Sequence, residues 1–201
     1  EIGFHMKIKT VEFIKGVTSF NALPSGMQPE IAFAGRSNVG KSSMLNSLLG
    51  RQKIAKVSKT PGRTREINFF SINECARFVD LPGYGFAKAA GATRALWAPL
   101  ILRYLSEREQ LRAVVLILDV RRTPNDEDLA LVDLLREYGV NIIPVAGKSD
   151  KLPLQQRQKQ INIIADTLHL MPHDILQFSA LSGAGRDKLW QVIDMFIKSD
   201  P

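Results

Sequence analysis

The chain has 201 residues, of which 45% are apolar and 23% charged, and its net charge is +7. These values are ordinary for a soluble globular protein, and the length suits one domain with a full hydrophobic core. No apolar run reaches about 18 residues, so no transmembrane helix is expected, and a single cysteine, Cys75, excludes an intrachain disulfide. We expect a cytoplasmic monomer without stable membrane insertion, with one domain over residues 7–199 and a cloning remnant at residues 1–6 before it.

Hydrophobic periodicity predicts alternating strands and helices along the chain. Strand-like runs lie at residues 8–14, 31–34, 66–72, 76–80, 113–119, 141–146 and 174–178. Helical patterns lie at residues 41–50, 94–108, 126–138, 154–168 and 186–198. Pro99 disturbs the second helical pattern, so this helix could instead begin at Pro99. The alternation predicts an α/β fold with a mainly parallel central sheet, helices on both faces and one antiparallel edge strand, since runs 66–72 and 76–80 form a hairpin.

An eight-residue segment after the second strand fits the phosphate-binding pattern G-x-x-x-x-G-K-[ST]. Backbone N–H groups of such a loop face phosphate oxygens, and the helix that follows adds the positive end of its dipole. We expect Lys41 to contact the β and γ phosphates and Ser42 to ligate Mg²⁺. The predicted phosphate-binding residues are Gly35, Arg36, Ser37, Asn38, Val39, Gly40, Lys41, Ser42 and Ser43.

A second motif, Asp80-Leu81-Pro82-Gly83, follows the apolar run that ends at Val79. A carboxylate at the end of this strand can hold Mg²⁺ through a water molecule, and Gly83 can bring its N–H close to a γ-phosphate. The motif alone is typical of an ordinary turn. Its position about forty residues after a phosphate loop instead favours the start of a nucleotide-sensing segment.

Two further segments predict a guanine pocket. Gly147-Lys148-Ser149-Asp150 follows a buried strand, and the Asp150 carboxylate can accept hydrogen bonds from both N1–H and the exocyclic amine of guanine, which adenine cannot offer. The Lys148 stem would cover the base face. The segment Phe178-Ser179-Ala180 would contribute a backbone N–H to the guanine carbonyl. The chain is therefore expected to bind GTP and GDP rather than ATP.

These motifs occur in the order of Ras-like P-loop GTPases, and three segments resemble the EngB (YihA/YsxC) family of the TrmE–Era–EngA–Septin-like class. The three segments are residues 35–42, Lys59-Thr60-Pro61-Gly62-Arg63-Thr64 and Asp80-Leu81-Pro82-Gly83-Tyr84-Gly85. The resemblance covers about residues 7–199. It implies a Ras-like GTPase that hydrolyses GTP to GDP and phosphate, assists assembly of the large ribosomal subunit and is needed for normal cell division and septation.

The resemblance also assigns roles to single residues. Thr64 would be the threonine of the switch I segment that reaches Mg²⁺ in the GTP state, with Thr60 as the alternative. Gly62 and Arg63 would lie at the nucleotide beside it. The catalytic set implied is Lys41, Thr64 and Gly83.

Three positions depart from the usual pattern of such GTPases. Tyr84 stands where Ras-like enzymes carry the glutamine that orients the attacking water, so slow intrinsic hydrolysis is expected. Gly147 stands where Asn or Thr is usual, and it has no side chain to tie this loop to the phosphate loop. Leu181 stands where many GTPases have Lys. Both latter changes are expected to weaken the guanine pocket.

Asn38 suggests that a bound K⁺ ion could accelerate hydrolysis. In related GTPases of this class, an Asn at this position of the phosphate loop coordinates K⁺, whose charge can replace an arginine finger. The alternative is that Asn38 is only a turn residue, for which Asn is a common choice. The expected cofactors are therefore Mg²⁺ and, if Asn38 has this role, K⁺.

Positive charge is concentrated in the predicted switch I segment, which has no acidic residue until Glu66. Such a segment can bind the phosphates of rRNA, and it can equally be a solvated loop. The candidate RNA contacts are Arg51, Lys53, Lys56, Lys59, Arg63 and Arg65.

A division-site or membrane-associated structural GTPase without ribosome binding is the alternative function, but the sequence shows neither the amphipathic anchor nor the coiled coil that this function predicts.

Overall fold

The computed structural model describes residues 6–50, 66–85 and 99–199. These residues form a single seven-stranded sheet with helices packed on it. The strands are β1 Val11–Val17, β2 Glu30–Gly35, β3 Ile67–Ile72, β4 Ala76–Asp80, β5 Leu111–Asp119, β6 Asn141–Gly147 and β7 Leu176–Gln177. The helices are α1 Lys41–Leu48, α2 Pro99–Glu107, α3 Asp126–Glu137, α4 Leu154–Leu168 and α5 Arg186–Lys198.

The sheet has the strand order β1-β3-β4-β2-β5-β6-β7. Strands β4, β2, β5, β6 and β7 are parallel, whereas β3 is antiparallel to both of its neighbours. A tight turn at residues 73–75 joins β3 to β4, and Asn73 and Glu74 both have the positive φ that such a turn requires. The predicted α/β fold with an antiparallel edge is confirmed, and the reversed strand, β3, lies just inside β1.

The predicted bounds are wrong at both edges of the sheet. β1 runs over Val11–Val17 rather than residues 8–14, and its register against β3 shifts between Phe13 and Lys15. β7 has only two residues, because the turn of 3₁₀ helix Pro172–Asp174 occupies the start of the predicted strand. α1 ends at Leu48, before Gly50 with its φ of 61°. Residues 86–98, before α2, lie outside the described residues.

Apolar residues cover both faces of the sheet, as the buried central strand predicts. In β5, residues 113–118 are at most 3% exposed. On one face, Trp190 of α5 stacks on Phe78 with ring centroids 5.3 Å apart and donates Nε1–H to the Leu48 carbonyl oxygen at 3.0 Å. Because these strands are parallel, their carboxyl ends lie along one edge of the sheet, where the loops after β2, β4, β5 and β6 meet.

Candidate nucleotide-binding site

The phosphate loop, residues 35–42, connects the buried end of β2 to the first turn of α1. Its backbone turns inward at Asn38 and Gly40, which have φ angles of 63° and 110°. A Cβ at Gly35 would lie 2.9 Å from the Ile117 carbonyl oxygen and 2.8 Å from a Val39 methyl carbon. The first motif glycine is therefore required for close packing, and the second for a left-handed backbone.

A lysine and an aspartate meet beside this loop. Lys41 begins α1, Asp80 ends β4, and the Lys41 ammonium contacts the Asp80 carboxylate. Their side chains are only 12% and 14% exposed, so each charge partly neutralises the other in a sheltered position. The two residues expected to serve phosphate and Mg²⁺ thus lie together, while Ser42 and Ser43 are exposed on the first turn of α1.

The segment after Asp80, which we call switch II, begins against the phosphate loop. A Cβ at Gly83 would lie 2.9 Å from Ser37 Oγ and 3.1 Å from Ser37 Cα, so only glycine fits without displacement. The Ser37 N–H donates to the Tyr84 carbonyl oxygen at 2.9 Å, and Arg36 pairs with Tyr84 as a short parallel bridge. Any movement of switch II therefore acts directly on the loop that would hold phosphate.

Tyr84 is directed into the protein, toward α3. Its hydroxyl donates to Asp128 Oδ1 at 2.7 Å, and Asp128 also forms a capping box with Asn125 at the start of α3. Burial, and then the charge of Asp128, raise the pKa of the Tyr84 phenol well above its usual value. A second contact joins Arg36 of the phosphate loop to Glu127 of α3 at 3.7 Å. In this arrangement the phenol is hydrogen-bonded to a helix instead of standing free to orient water.

The base loop, residues 147–150, follows β6. Lys148 has a φ of 59°, and its ammonium donates to the Asn38 carbonyl oxygen at 3.1 Å and to Asp119 Oδ2 at 3.0 Å. Gly147 was expected to leave this loop without a tie to the phosphate loop. The structure instead makes the connection one residue later, through the Lys148 side chain.

Asp150 lies beside the segment Phe178-Ser179-Ala180, as predicted for the two halves of a base pocket. The Ser179 hydroxyl donates to Asp150 Oδ1 at 2.6 Å, and this hydrogen bond, with support from Lys151, holds the pKa of the Asp150 carboxyl below its usual value. Backbone bonds join the loops, because Ser149 N–H donates to the Phe178 carbonyl oxygen at 3.0 Å. Leu181 is 80% exposed.

Asp119 is a charged group at this site that the sequence reasoning missed. It ends β5, it is 8% exposed, and it accepts hydrogen bonds from Arg121 and Lys148. Burial alone would raise the pKa of this carboxyl, but the hydrogen bonds from Arg121 and Lys148 outweigh burial and hold the pKa well below its usual value. One signal was available, since a carboxylate directly after a buried apolar strand occupies the same kind of position as Asp80.

Several predicted site residues lie outside the described ranges. They are Thr60, Gly62, Arg63 and Thr64, together with Arg51, Lys53, Lys56, Lys59 and Arg65. Across the three described ranges, no group of three or more His, Cys, Asp or Glu side chains is placed to hold a metal ion. In the same part of the chain, none of the helices has the length and apolar character needed to cross a bilayer.

The sheet, the phosphate loop and the two loops predicted to bind the base are arranged as in a P-loop GTPase. Residues 30–148 match the family described as 50S ribosome-binding GTPase. The chain is 48% identical to a probable GTP-binding protein EngB of Geobacter sp. (strain M21), over 96% of this chain and 90% of that protein. It is 50% identical to a probable EngB of Syntrophus aciditrophicus (strain SB), over 94% of this chain and 95% of that one.

A solved structure agrees with these relatives. The crystal structure of a probable GTP-binding protein engB superposes with a TM-score of 0.67 and 26% identity, covering 84% of this chain and 98% of that chain. The chain belongs to the EngB family of GTP-binding proteins, and it is a GTPase.

Proposed function

We propose that the protein is a Mg²⁺-dependent GTPase switch with slow intrinsic hydrolysis that assists large-subunit ribosome assembly and supports normal cell division. It would work as a cytoplasmic monomer with one GTP-binding domain over residues 7–199. The observation that carries the switch is the packing of Gly83 and Tyr84 on Ser37, since a γ-phosphate bound by the phosphate loop would meet switch II at once. Nucleotide-dependent ordering of such segments is how GTPases signal their state.

The donor set fits Mg²⁺. This ion keeps most of its water and binds through one or two protein oxygens plus substrate phosphates, so it needs no cluster of carboxylates. Ser42 and Thr64 would ligate it directly and Asp80 through water, and the ion would neutralise charge on the β and γ phosphate oxygens. Lys41, which now contacts Asp80, would turn to those phosphates when nucleotide binds.

The proposed guanine contacts are supported by the arrangement of Asp150 and Ser179. Asp150 is charged and held in position by Ser179, so it can accept two hydrogen bonds from guanine. The backbone at residues 178–180 would contact the guanine carbonyl, and the Lys148 stem would lie along the base. Gly35 to Ser43 and residues Leu81 to Gly83 would surround the phosphates.

Slow hydrolysis is supported by Tyr84, because its phenol is hydrogen-bonded to Asp128.

Asn38 is exposed on the phosphate loop, so its amide is accessible to K⁺. We expect GTP hydrolysis to be faster in K⁺ than in Na⁺ at equal ionic strength. N38G, which suits the positive φ at this position, should remove the difference. Equal rates in both salts would exclude the K⁺ role.

Ribosome binding is supported by the family description as 50S ribosome-binding GTPase and by the six basic residues of switch I. Phosphate contacts would make binding strongly salt-dependent. The test is co-sedimentation with purified 50S subunits at several salt concentrations, with GDP and with a non-hydrolysable GTP analogue. We expect salt-sensitive binding with the analogue only.

Two charge-reversed variants test the role of switch I. K53E/K56E should lose 50S binding while retaining GDP binding. K159E/K188E is the matched control, because both residues are exposed on α4 and α5, and it should behave like the unchanged protein. Absent or equal binding in both nucleotide states would remove the ribosome as a nucleotide-gated partner. That result would favour the alternative, a division-site GTPase without direct ribosome binding.

A further inference from the structure

Lys148 links two loops that must hold opposite ends of one nucleotide. Its backbone belongs to the base loop, its stem approaches the phosphate loop, and its ammonium ends on the Asn38 carbonyl oxygen at 3.1 Å. A Cβ built on Gly40 would lie 3.4 Å from Lys148 Cε, so the lysine stem runs along the phosphate loop in close contact. The separation of the two loops therefore depends on where this side chain is held.

One hydrogen bond to a carbonyl oxygen restrains a lysine ammonium only weakly, because the lysine side chain is flexible, with four rotatable bonds. The second partner is charged, because Asp119 Oδ2 lies 3.0 Å from the Lys148 ammonium. A hydrogen bond between two charged groups is about twice as strong as a neutral one. Asp119 is itself fixed, since Arg121 donates to Oδ1 from Nε at 2.9 Å and to Oδ2 from Nη2 at 2.7 Å.

The carboxylates that follow strands β4 and β6 have different partners. Asp80 contacts Lys41, and Asp150 is bonded to Ser179 and Lys151. Gly147 offers no side chain. A Cβ at that position would already lie 3.4 Å from the Leu118 carbonyl oxygen and 3.7 Å from Met44 Cε. Asp119 is thus the carboxylate placed to fix Lys148 on the phosphate loop.

We propose that Asp119 is a positioning residue for nucleotide binding, which holds the Lys148 ammonium on the phosphate loop and so fixes the distance between the base and phosphate subsites. In this chain it takes over the bracing that the missing side chain at position 147 would supply. The inference rests on the proposed role of the base loop in binding guanine.

The test is a double-mutant cycle read by the dissociation rate of a fluorescent GDP analogue. D119N keeps the size of the side chain but removes its charge, and we expect dissociation to be about tenfold faster, the effect of losing one charge-assisted hydrogen bond. K148M should also speed dissociation. Because Asp119 acts through Lys148, the double variant D119N/K148M should release nucleotide no faster than K148M alone.

Two further variants help to separate the outcomes. R121M leaves the Asp119 carboxylate beside Lys148 but removes the groups that orient it, so it should speed dissociation by less than D119N. D133N, an exposed carboxylate paired with Arg136 on α3, should change nothing. If the effects of D119N and K148M multiply, Asp119 acts on local structure and the proposal is wrong. An unchanged rate in K148M would instead refute the role of the base loop itself.

Thermal unfolding of each variant without nucleotide checks that the fold is intact. If D119N does not fold, the same double-mutant cycle is measured with D119S, K148M and the double variant D119S/K148M. Loss of thermal stability without faster dissociation in D119S would also overturn the proposal.

Discussion

At the residue scale, the proposed selection of guanine depends on the charge of Asp150. The Ser179 hydroxyl binds one carboxylate oxygen at 2.6 Å, which fixes the plane of the group and leaves acceptor capacity for the two donors of guanine. An amide in its place offers one acceptor and one donor. A carboxylate at this position would therefore distinguish guanine from a base with a carbonyl in place of the exocyclic amine.

D150N should consequently shift preference from guanosine to xanthosine nucleotides. GDP affinity should fall on the order of 100-fold, since two hydrogen bonds to a charged group are lost or weakened, while XDP affinity should rise. Competition binding with both nucleotides measures the shift. D166N, an exposed carboxylate on α4, is the control, and retained guanine preference in D150N would show that another residue reads the base.

Asp119 makes folding depend on pH in a defined window. Its pKa is lowered in the folded protein, so the folded state binds fewer protons than the unfolded state between the two pKa values. Its contribution is complete above the ordinary aspartate pKa, about 4, and is lost as pH falls toward the folded value. The difference in urea midpoint between D119N and the unchanged protein should be constant from pH 5 to pH 7 and should narrow as pH falls below about 4. A difference that stays constant down to pH 3 would mean that this carboxyl does not titrate as described.

The sequence indicates candidate site residues where they stand in contiguous motifs. The phosphate loop, Asp80 to Gly83 and Asp150 could be proposed from the sequence because each motif has a recognisable local pattern, and their roles stay predictions. The link from Lys148 to Asn38 joins residues 110 positions apart, so it depends on how β2 and β6 are placed in the sheet. Asp119 was missed for the same reason, as its partner Lys148 lies on a different strand end.

At the element scale, three pieces of structure are joined around Tyr84. The phosphate loop pairs with the Tyr84 backbone, and the Tyr84 hydroxyl donates to Asp128 in the first turn of α3. Arg36 of the phosphate loop contacts Glu127 of the same helix. The capping box of Asn125 and Asp128 fixes the end of α3 that receives these contacts. The start of switch II is thus attached to a helix as well as to the phosphate loop.

Y84F tests whether this tyrosine is an anchor or a catalytic group. Loss of one buried hydrogen bond should lower the free energy of unfolding by about 1 kcal/mol, measured by urea denaturation. The hydrolysis rate with saturating GTP should stay within about twofold of the unchanged protein, because the phenol faces Asp128. A large fall in kcat at unchanged stability would contradict this and give the hydroxyl a part in the reaction.

Element prediction succeeded where burial decides and failed at the edges of the sheet. β5 and the hairpin of β3 and β4 have clear signals, namely a continuous apolar run and a short turn. β1 has five consecutive exposed positions between Val11 and Val17, so its apolar pattern does not fix its register. β7 pairs through only two residues, too few for a periodic signal.

At the scale of the whole molecule, the two ends of the sheet have different tasks. The carboxyl ends of the parallel strands carry the candidate nucleotide site, and the opposite end carries a buried ion cluster around Glu30. Glu30 is fully buried and accepts from Arg77 at 3.2 Å, from Arg108 at 2.5 Å and from the Tyr104 hydroxyl at 3.1 Å. The cluster attaches α2, the turn after it and β4 to the start of β2.

E30Q should therefore destabilise the protein without changing its chemistry. Removing one charge leaves two arginines with low exposure and no carboxylate, which costs about 3–5 kcal/mol in comparable buried pairs. Urea denaturation without nucleotide measures the loss, and the dissociation rate of GDP, measured well below the unfolding transition, should be unchanged. E107Q is the matched control, because Glu107 pairs with Arg103 in the open and its loss should leave stability nearly unchanged. Faster GDP release in E30Q would mean that the two ends of the sheet are coupled, with α2 as the connecting element.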